Sequence, residues 1–240
     1  MVTALQQQMD NMRSNGLGSA LIGATDVRST TDYVSNILRR AILTHQLKAG
    51  TRLVEAKTSK ELNVSITPVR SAFAILSNQG LLTNYPYRGT YVTILSREYV
   101  EDIYYLRINL ERMSAEKGFP KLTAEDIKYY EQLCELSDAA HDNNDLYGAI
   151  HYDMLFHEYL FALVNSSLML EMWNTIKYRI ENIQSYTRTT RTAKMAVRHA
   201  VMLEALKKRD IDMYIDGLIK HLDPTKHGVY FPEEKTISYK

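Results

Sequence analysis

Residues 64–82 read V-S-I-T-P-V-R-S-A-F-A-I-L-S-N-Q-G-L-L, a run that marks both ends of one helix. Ser65 is of the N-cap type, and Pro68 falls in the first turn, where its missing N–H costs least. Gly80 follows the last periodic residue as a C′ glycine, with apolar Leu81 behind it. Val69, Ala72, Phe73 and Leu76 recur at i, i+3, i+4 and i+7, so one face is buried. The opposite face offers Thr67, Arg70, Ser71 and Asn78, all able to hydrogen-bond to phosphates or base edges.

Its neighbours give this helix a role. Upstream, Thr30 or Thr31 is placed to cap a helix with apolar positions Val34, Ile37, Leu38, Ala41 and Ile42, ending near His45. Residues 48–51 (K-A-G-T) form a turn, and a short helix covers residues 55–62. The three residues 63–65 then lead into the helix above, which is the linker length of a helix-turn-helix. Downstream, two short β-rich runs flank an Arg88-Gly89 turn and make a hairpin. Three helices plus this wing, over residues 30–95, predict a winged helix-turn-helix.

From residue 96 the pattern is helical. Ser96 caps a helix to Lys117, stopped by Gly118 and Pro120; Thr123 with Asp126 resembles a capping box. Further helices are expected to end at Asn165, then over residues 168–188, 193–208 and 211–221. Residues 96–223 therefore predict an all-α bundle of about six helices, and the fold class is mainly α. Residues 1–29 read as a flexible arm and 224–240 as an extended tail.

Composition narrows the function. Forty-five per cent of the 240 residues are hydrophobic, enough for a sizeable core. There is no apolar run of transmembrane length and no signal-peptide pattern, and Cys134 is the one cysteine, which fits a cytoplasmic protein without membrane association. The net charge of +1 hides an asymmetry. Residues 30–97 carry nine basic side chains against three acidic, while residues 98–240 carry 18 against 23. A basic small unit on an acidic larger one points to a polyanion-binding head.

A second constellation is chemical. Asp153 and His157 stand four apart on one helix and share a face with Leu160 and Val164, so a carboxylate and an imidazole are directed into the core. His199 lies near the start of the penultimate helix and His221 at the end of the last; an antiparallel pair brings them level. Three His and one Asp suit a divalent transition metal such as zinc, nickel or manganese, with positions left for water or a carboxylate. His45, His141, His151 and His227 read as surface residues.

The runs L-K-A-G-T-R-L-V-E, E-L-N-V-S-I-T-P-V-R-S-A, L-S-N-Q-G-L-L and R-G-T-Y-V together resemble the GntR family of bacterial transcription regulators. R-I-N-L-E at 107–111, D-M-L-F-H at 153–157, V-N-S-S-L at 164–168 and the His199/His221 pair resemble its FadR-like branch, which carries an all-helical effector domain. The resemblance spans about residues 31–222 and implies a homodimer that binds double-stranded operator DNA and responds to a ligand, usually as a repressor. It assigns Asp153, His157, His199 and His221 to a metal and Arg107 to a small carboxylate effector. An ion pair of Arg107 with Glu111 at i+4 is the alternative. Asn165 either caps its helix or lines the effector pocket. Ser65, Thr67, Arg70, Ser71, Lys57, Arg88 and Gly89 are the expected DNA-contacting positions. Ile66 and Ala56 stand where relatives usually have DNA-contacting arginines, so base readout is expected to be altered. A metal-dependent hydrolase on the Asp/His cluster, and an unresponsive DNA binder with a structural metal, are the competing functions.

Overall fold

A computed structural model describes residues 29–188 and 195–223. The expected arm, apart from Ser29, and the expected tail lie outside these residues. The head opens with α1 (Thr30–Leu43), capped one residue earlier than expected by Ser29, whose Oγ accepts from the Asp32 N–H at 3.1 Å. After β1 (Arg52–Leu53) come α2 (Glu55–Leu62) and α3 (Ile66–Asn78). Asn63 ends α2 in the left-handed conformation (φ 52°), and the Ser59 hydroxyl donates to the Val64 carbonyl at 2.7 Å, which fixes the tight turn between the two helices.

The end of α3 is a full Schellman motif. Gly80 (φ +73°) donates its N–H to the Ser77 carbonyl and Leu81 donates to the Leu76 carbonyl, each at 2.9 Å. Ser65 occupies the N-cap position with extended backbone, although its side chain makes no capping bond. The wing strands β2 (Leu82–Tyr85) and β3 (Gly89–Val92) pair antiparallel as expected. The sheet has a third strand, because β1 pairs with β3 to give the order β1-β3-β2. Two residues are too few to show an alternation in sequence. Val34, Leu38, Ile42, Val69, Phe73, Leu76, Leu81 and Val92 form the head's own core.

The helical body comprises α4 (Arg97–Gly118), a 3₁₀ turn (Phe119–Lys121), α5 (Ala124–Asp142), α6 (Leu146–Val164), α7 (Ser167–Arg188), α8 (Met195–Arg198), α9 (Ala200–Lys208) and α10 (Ile211–His221). The capping box at Thr123/Asp126 is present with both of its bonds. The central element is α6, which packs on α4, α5 and α7. The expected unbroken helix over 193–208 is instead interrupted at His199, which caps α9 with φ −105° and ψ 6°.

Helix α7 has two working faces. Trp173, Ile176, Ile180, Ile183 and Gln184 are buried in the body. Tyr178, Asn182, Ser185 and Tyr186 recur at i, i+4, i+7 and i+8 on the other side, where the head docks. The Arg39 guanidinium lies 4.8 Å from the centre of the Tyr178 ring, His45 Nε2 is 3.2 Å from the Ser185 carbonyl, and Arg179 donates to the Asn78 carbonyl at 3.0 Å. His45 therefore belongs to the head–body seam, its ring 4.4 Å from that of Tyr186, and is not a free surface residue.

Candidate functional site

Two sites stand at opposite ends of the molecule's logic, one on the head and one inside the body. On the head, Ser65, Thr67, Arg70 and Ser71 are exposed along the N-terminal half of α3, Lys57 is exposed on α2, and Arg88 is exposed at the wing turn beside half-buried Gly89 (φ +106°). Tyr87, in the left-handed region, is fully exposed at the wing tip. Arg70 Nε contacts Glu55 Oε2 at 3.0 Å and Lys57 contacts Glu61 at 3.7 Å. Surface pairs of this kind contribute about 0–1 kcal/mol, so a phosphate can replace the carboxylate partner. Ile66 is 40% exposed. It presents an apolar side chain on the same surface.

In the body, α6 brings Asp153 and His157 to one level, the break before α9 supplies His199, and the last turn of α10 supplies His221. Ligand atoms of the three imidazoles lie within 4.8 Å of one another. Asp153 flanks them, with Oδ1 3.6 Å from His199 Nε2. The three expected histidines thus converge from three separate segments, and Asp153 stands at the edge of their cluster. Asp153, His157 and His199 are buried, and His221 is partly exposed.

Hydrogen bonding fixes the tautomers. His199 Nδ1 is 3.1 Å from the Met195 carbonyl, which only accepts, so Nδ1 carries the proton. His157 Nδ1 is 2.6 Å from Glu111 Oε2. Burial would raise the Glu111 carboxyl, but the His157 imidazole and Arg107 guanidinium outweigh it and hold the group below the usual carboxylate range, so Glu111 is the acceptor. Burial, helped by neighbouring imidazoles, drives the pKa values of His199 and His221 well below that of free histidine, which leaves them neutral. The Nε2 atoms of His157 and His199 stand 3.1 Å apart.

At that distance the two nitrogens can share a proton in a hydrogen bond or ligate one cation. Ligands about 2.0–2.1 Å from one zinc ion stand ~3.0–3.4 Å apart, so the observed spacing fits a shared metal. Carboxylate and carbonyl acceptors on the far nitrogens are the arrangement that orients metal-binding histidines. The donor set therefore fits a divalent transition metal.

Four participants escaped the sequence. Glu111 orients His157; Gln184 Nε2 donates to Asp153 Oδ2 at 2.6 Å; Arg198 Nη2 donates to Asp153 Oδ1 at 3.1 Å; the Met195 carbonyl anchors His199. Gln184 was detectable as a polar residue at a core position of α7, four residues after Ile180. Arg107 makes the alternative contact, its Nε donating to Glu111 Oε1 at 2.6 Å, while its buried Nη2 has no hydrogen-bond partner among the described residues. Asn165 is the exposed left-handed C-cap of α6, about two turns beyond His157, so of its two expected roles it takes the capping one.

Residues 102–224 match the FCD domain family, and residues 30–92 match the family described as bacterial regulatory proteins, gntR family. Among curated proteins, the chain is 27% identical over 198 residues to the HTH-type transcriptional repressor RspR of Escherichia coli (strain K12), covering 82% of this chain and 87% of the relative. It is 25% identical over 208 residues to the gluconate operon transcriptional repressor of Bacillus licheniformis, covering 84% and 85%. A putative transcriptional regulator GntR from Rhodococcus sp. RHA1 superposes with a TM-score of 0.69 at 25% identity, over 81% of this chain and 94% of that one. E. coli McbR/YncC gives 0.67 at 24%, over 82% and 95%, which supports the fold.

Proposed function

Because the chain belongs to the GntR family and carries an FCD domain, we propose that it is a transcriptional repressor whose operator binding responds to a small organic acid held at a metal centre in its helical body. The family is one of transcriptional regulators rather than enzymes, so the hydrolase alternative falls away. The observation that supports the sensing half is the cluster of three imidazoles, His157, His199 and His221, whose ligand atoms lie within 4.8 Å of one another in the helical body. His157, His199, His221 and Asp153 would hold zinc, nickel or manganese. Such an ion would supply a Lewis-acidic position for a carboxylate, beside which Arg107, whose Nη2 has no hydrogen-bond partner among the described residues, adds a donor.

Two copies act together, joined through their bodies. Tyr105, Leu106 and Met113 expose 61%, 52% and 46% of their surface along α4, an apolar stripe suited to a second copy. Two α3 helices then enter successive major-groove faces of a pseudo-palindromic site in cytoplasmic DNA.

Helix α7 offers the route between the sites. Gln184 holds Asp153 on one face, while Tyr178, Arg179 and Ser185 hold the head on the other. Asn182, in the middle of the head-facing stripe and 1% exposed, has no hydrogen-bond partner for either amide atom among the described residues. An unpaired buried polar group costs about 1–3 kcal/mol, so a re-setting of α7 that gives Asn182 a partner would be favoured. Couplings of about 1–3 kcal/mol change DNA affinity 5- to 150-fold.

Replacing Arg70 by Ala is expected to weaken operator binding and leave metal content unchanged. Replacing His199 by Ala is expected to abolish metal content, measured by elemental analysis of the purified protein. Normal metal loading in His199→Ala removes the centre from the account.

A further inference from the structure

We infer that Arg198 competes with the metal ion for Asp153 and thereby sets the metal affinity of the centre. The inference rests on the metal reading above and concerns a residue outside the ligand set.

Asp153 is buried on the central helix, and both of its oxygens are engaged. Gln184 takes Oδ2 at 2.6 Å, and Arg198 Nη2 takes Oδ1 at 3.1 Å. The same Oδ1 stands 3.6 Å from His199 Nε2. Oδ1 is therefore the oxygen that faces the imidazole cluster, and it is also the one the guanidinium holds. Arg198 and His199 are neighbours in the chain, placed where the interruption between α8 and α9 lets both side chains reach one carboxylate.

Charge gives the contact its consequence. Among the described residues, two ion pairs flank the imidazole cluster, Arg107 with Glu111 and Arg198 with Asp153. A dication that takes Oδ1 must displace a guanidinium hydrogen bond and then lie close to the displaced cation. Coulomb repulsion between an ion and a guanidinium a few ångströms apart is large where solvent is excluded. Arg198 is the guanidinium at that oxygen, and its side chain is 11% exposed, so it has an outward path from Oδ1. Removing the charge therefore favours metal, whereas a purely structural role for Arg198 predicts the opposite, because Asp153 would lose a partner that holds it in place.

The test is a competition titration of the full-length protein with zinc against a chromophoric chelator, for the wild type, Arg198→Met, Arg198→Lys and His199→Ala. Thermal unfolding of each variant checks that it is folded. Arg198→Met is expected to bind zinc at least about tenfold more tightly than the wild type. Arg198→Lys keeps the charge and is expected to stay within about threefold. His199→Ala loses the site. Unchanged or weaker zinc binding in folded Arg198→Met, with His199→Ala still losing zinc, overturns the role of Arg198 and leaves the centre standing. Zinc binding that His199→Ala does not affect overturns the centre and the inference together.

Discussion

Glu111 sits between two groups that are costly to bury alone, the Arg107 guanidinium on one oxygen and the His157 imidazole on the other. Replacing it by Gln leaves Arg107 without its counter-charge, an uncompensated burial that costs about 3–5 kcal/mol. It also removes the acceptor that fixes His157, a loss that typically lowers metal affinity ~10- to 100-fold. Urea unfolding and a zinc titration of Glu111→Gln are expected to show both losses; metal affinity equal to wild type would mean that His157 is not a ligand through Nε2. At this level the clustered residues were legible and their supports were not. Asp153 and His157 reveal themselves because a four-residue spacing puts polar groups on an apolar face. Glu111 meets His157 across 46 residues of sequence, and Arg198 meets Asp153 across 45, distances over which residue type says nothing about contact.

At the scale of elements, α3 and its flanks followed the sequence closely. Gly80 shows why. Its φ of +73° is a conformation that costs most residues about 1–2 kcal/mol, and an added Cβ would stand 2.9 Å from the Arg179 side chain. Gly80→Ala is therefore expected to destabilise the protein by at least about 1 kcal/mol in urea unfolding, and to loosen the Arg179 contact with the Asn78 carbonyl. A change below about 0.3 kcal/mol would contradict the strain argument. The pattern of apolar residues failed at the α8–α9 break, where the interruption comes from tertiary demands. His199 must turn its Nδ1 toward Met195 and its Nε2 toward His157. The two-residue β1 was beyond reach for the opposite reason, being defined by its partner β3 alone.

Across the whole molecule, the head and body meet in a seam that holds a half-buried acid. Burial pushes Glu181 on α7 up to about 7, despite Lys177 and Arg39 nearby and with Glu158 adding to the rise. A folded pKa above the ordinary value near 4.5 means that the folded state holds the proton more firmly. The stabilisation is then full below about pH 4.5 and is lost as the pH rises through 7. Glu181→Gln is expected to flatten that part of the stability–pH curve and to gain on the order of 1 kcal/mol at pH 8, read by denaturant unfolding at several pH values. An unchanged slope between pH 4.5 and 7 would remove Glu181 from the seam's energetics. The division into basic head and acidic body was visible in the charge pattern, whereas the docking of α1 and the end of α3 on α7 was not, because the contacts join residues more than a hundred positions apart.

The proposed control of specific operator recognition by a metal centre is open to fluorescence anisotropy of the purified protein on a duplex from upstream of its own gene, against a scrambled duplex and across a salt series. Tight binding with clear preference for the upstream duplex is expected, weakened by Arg70→Ala and shifted when a chelator strips the metal. Equal, weak binding to both duplexes that collapses with salt would leave only phosphate attraction and contradict it.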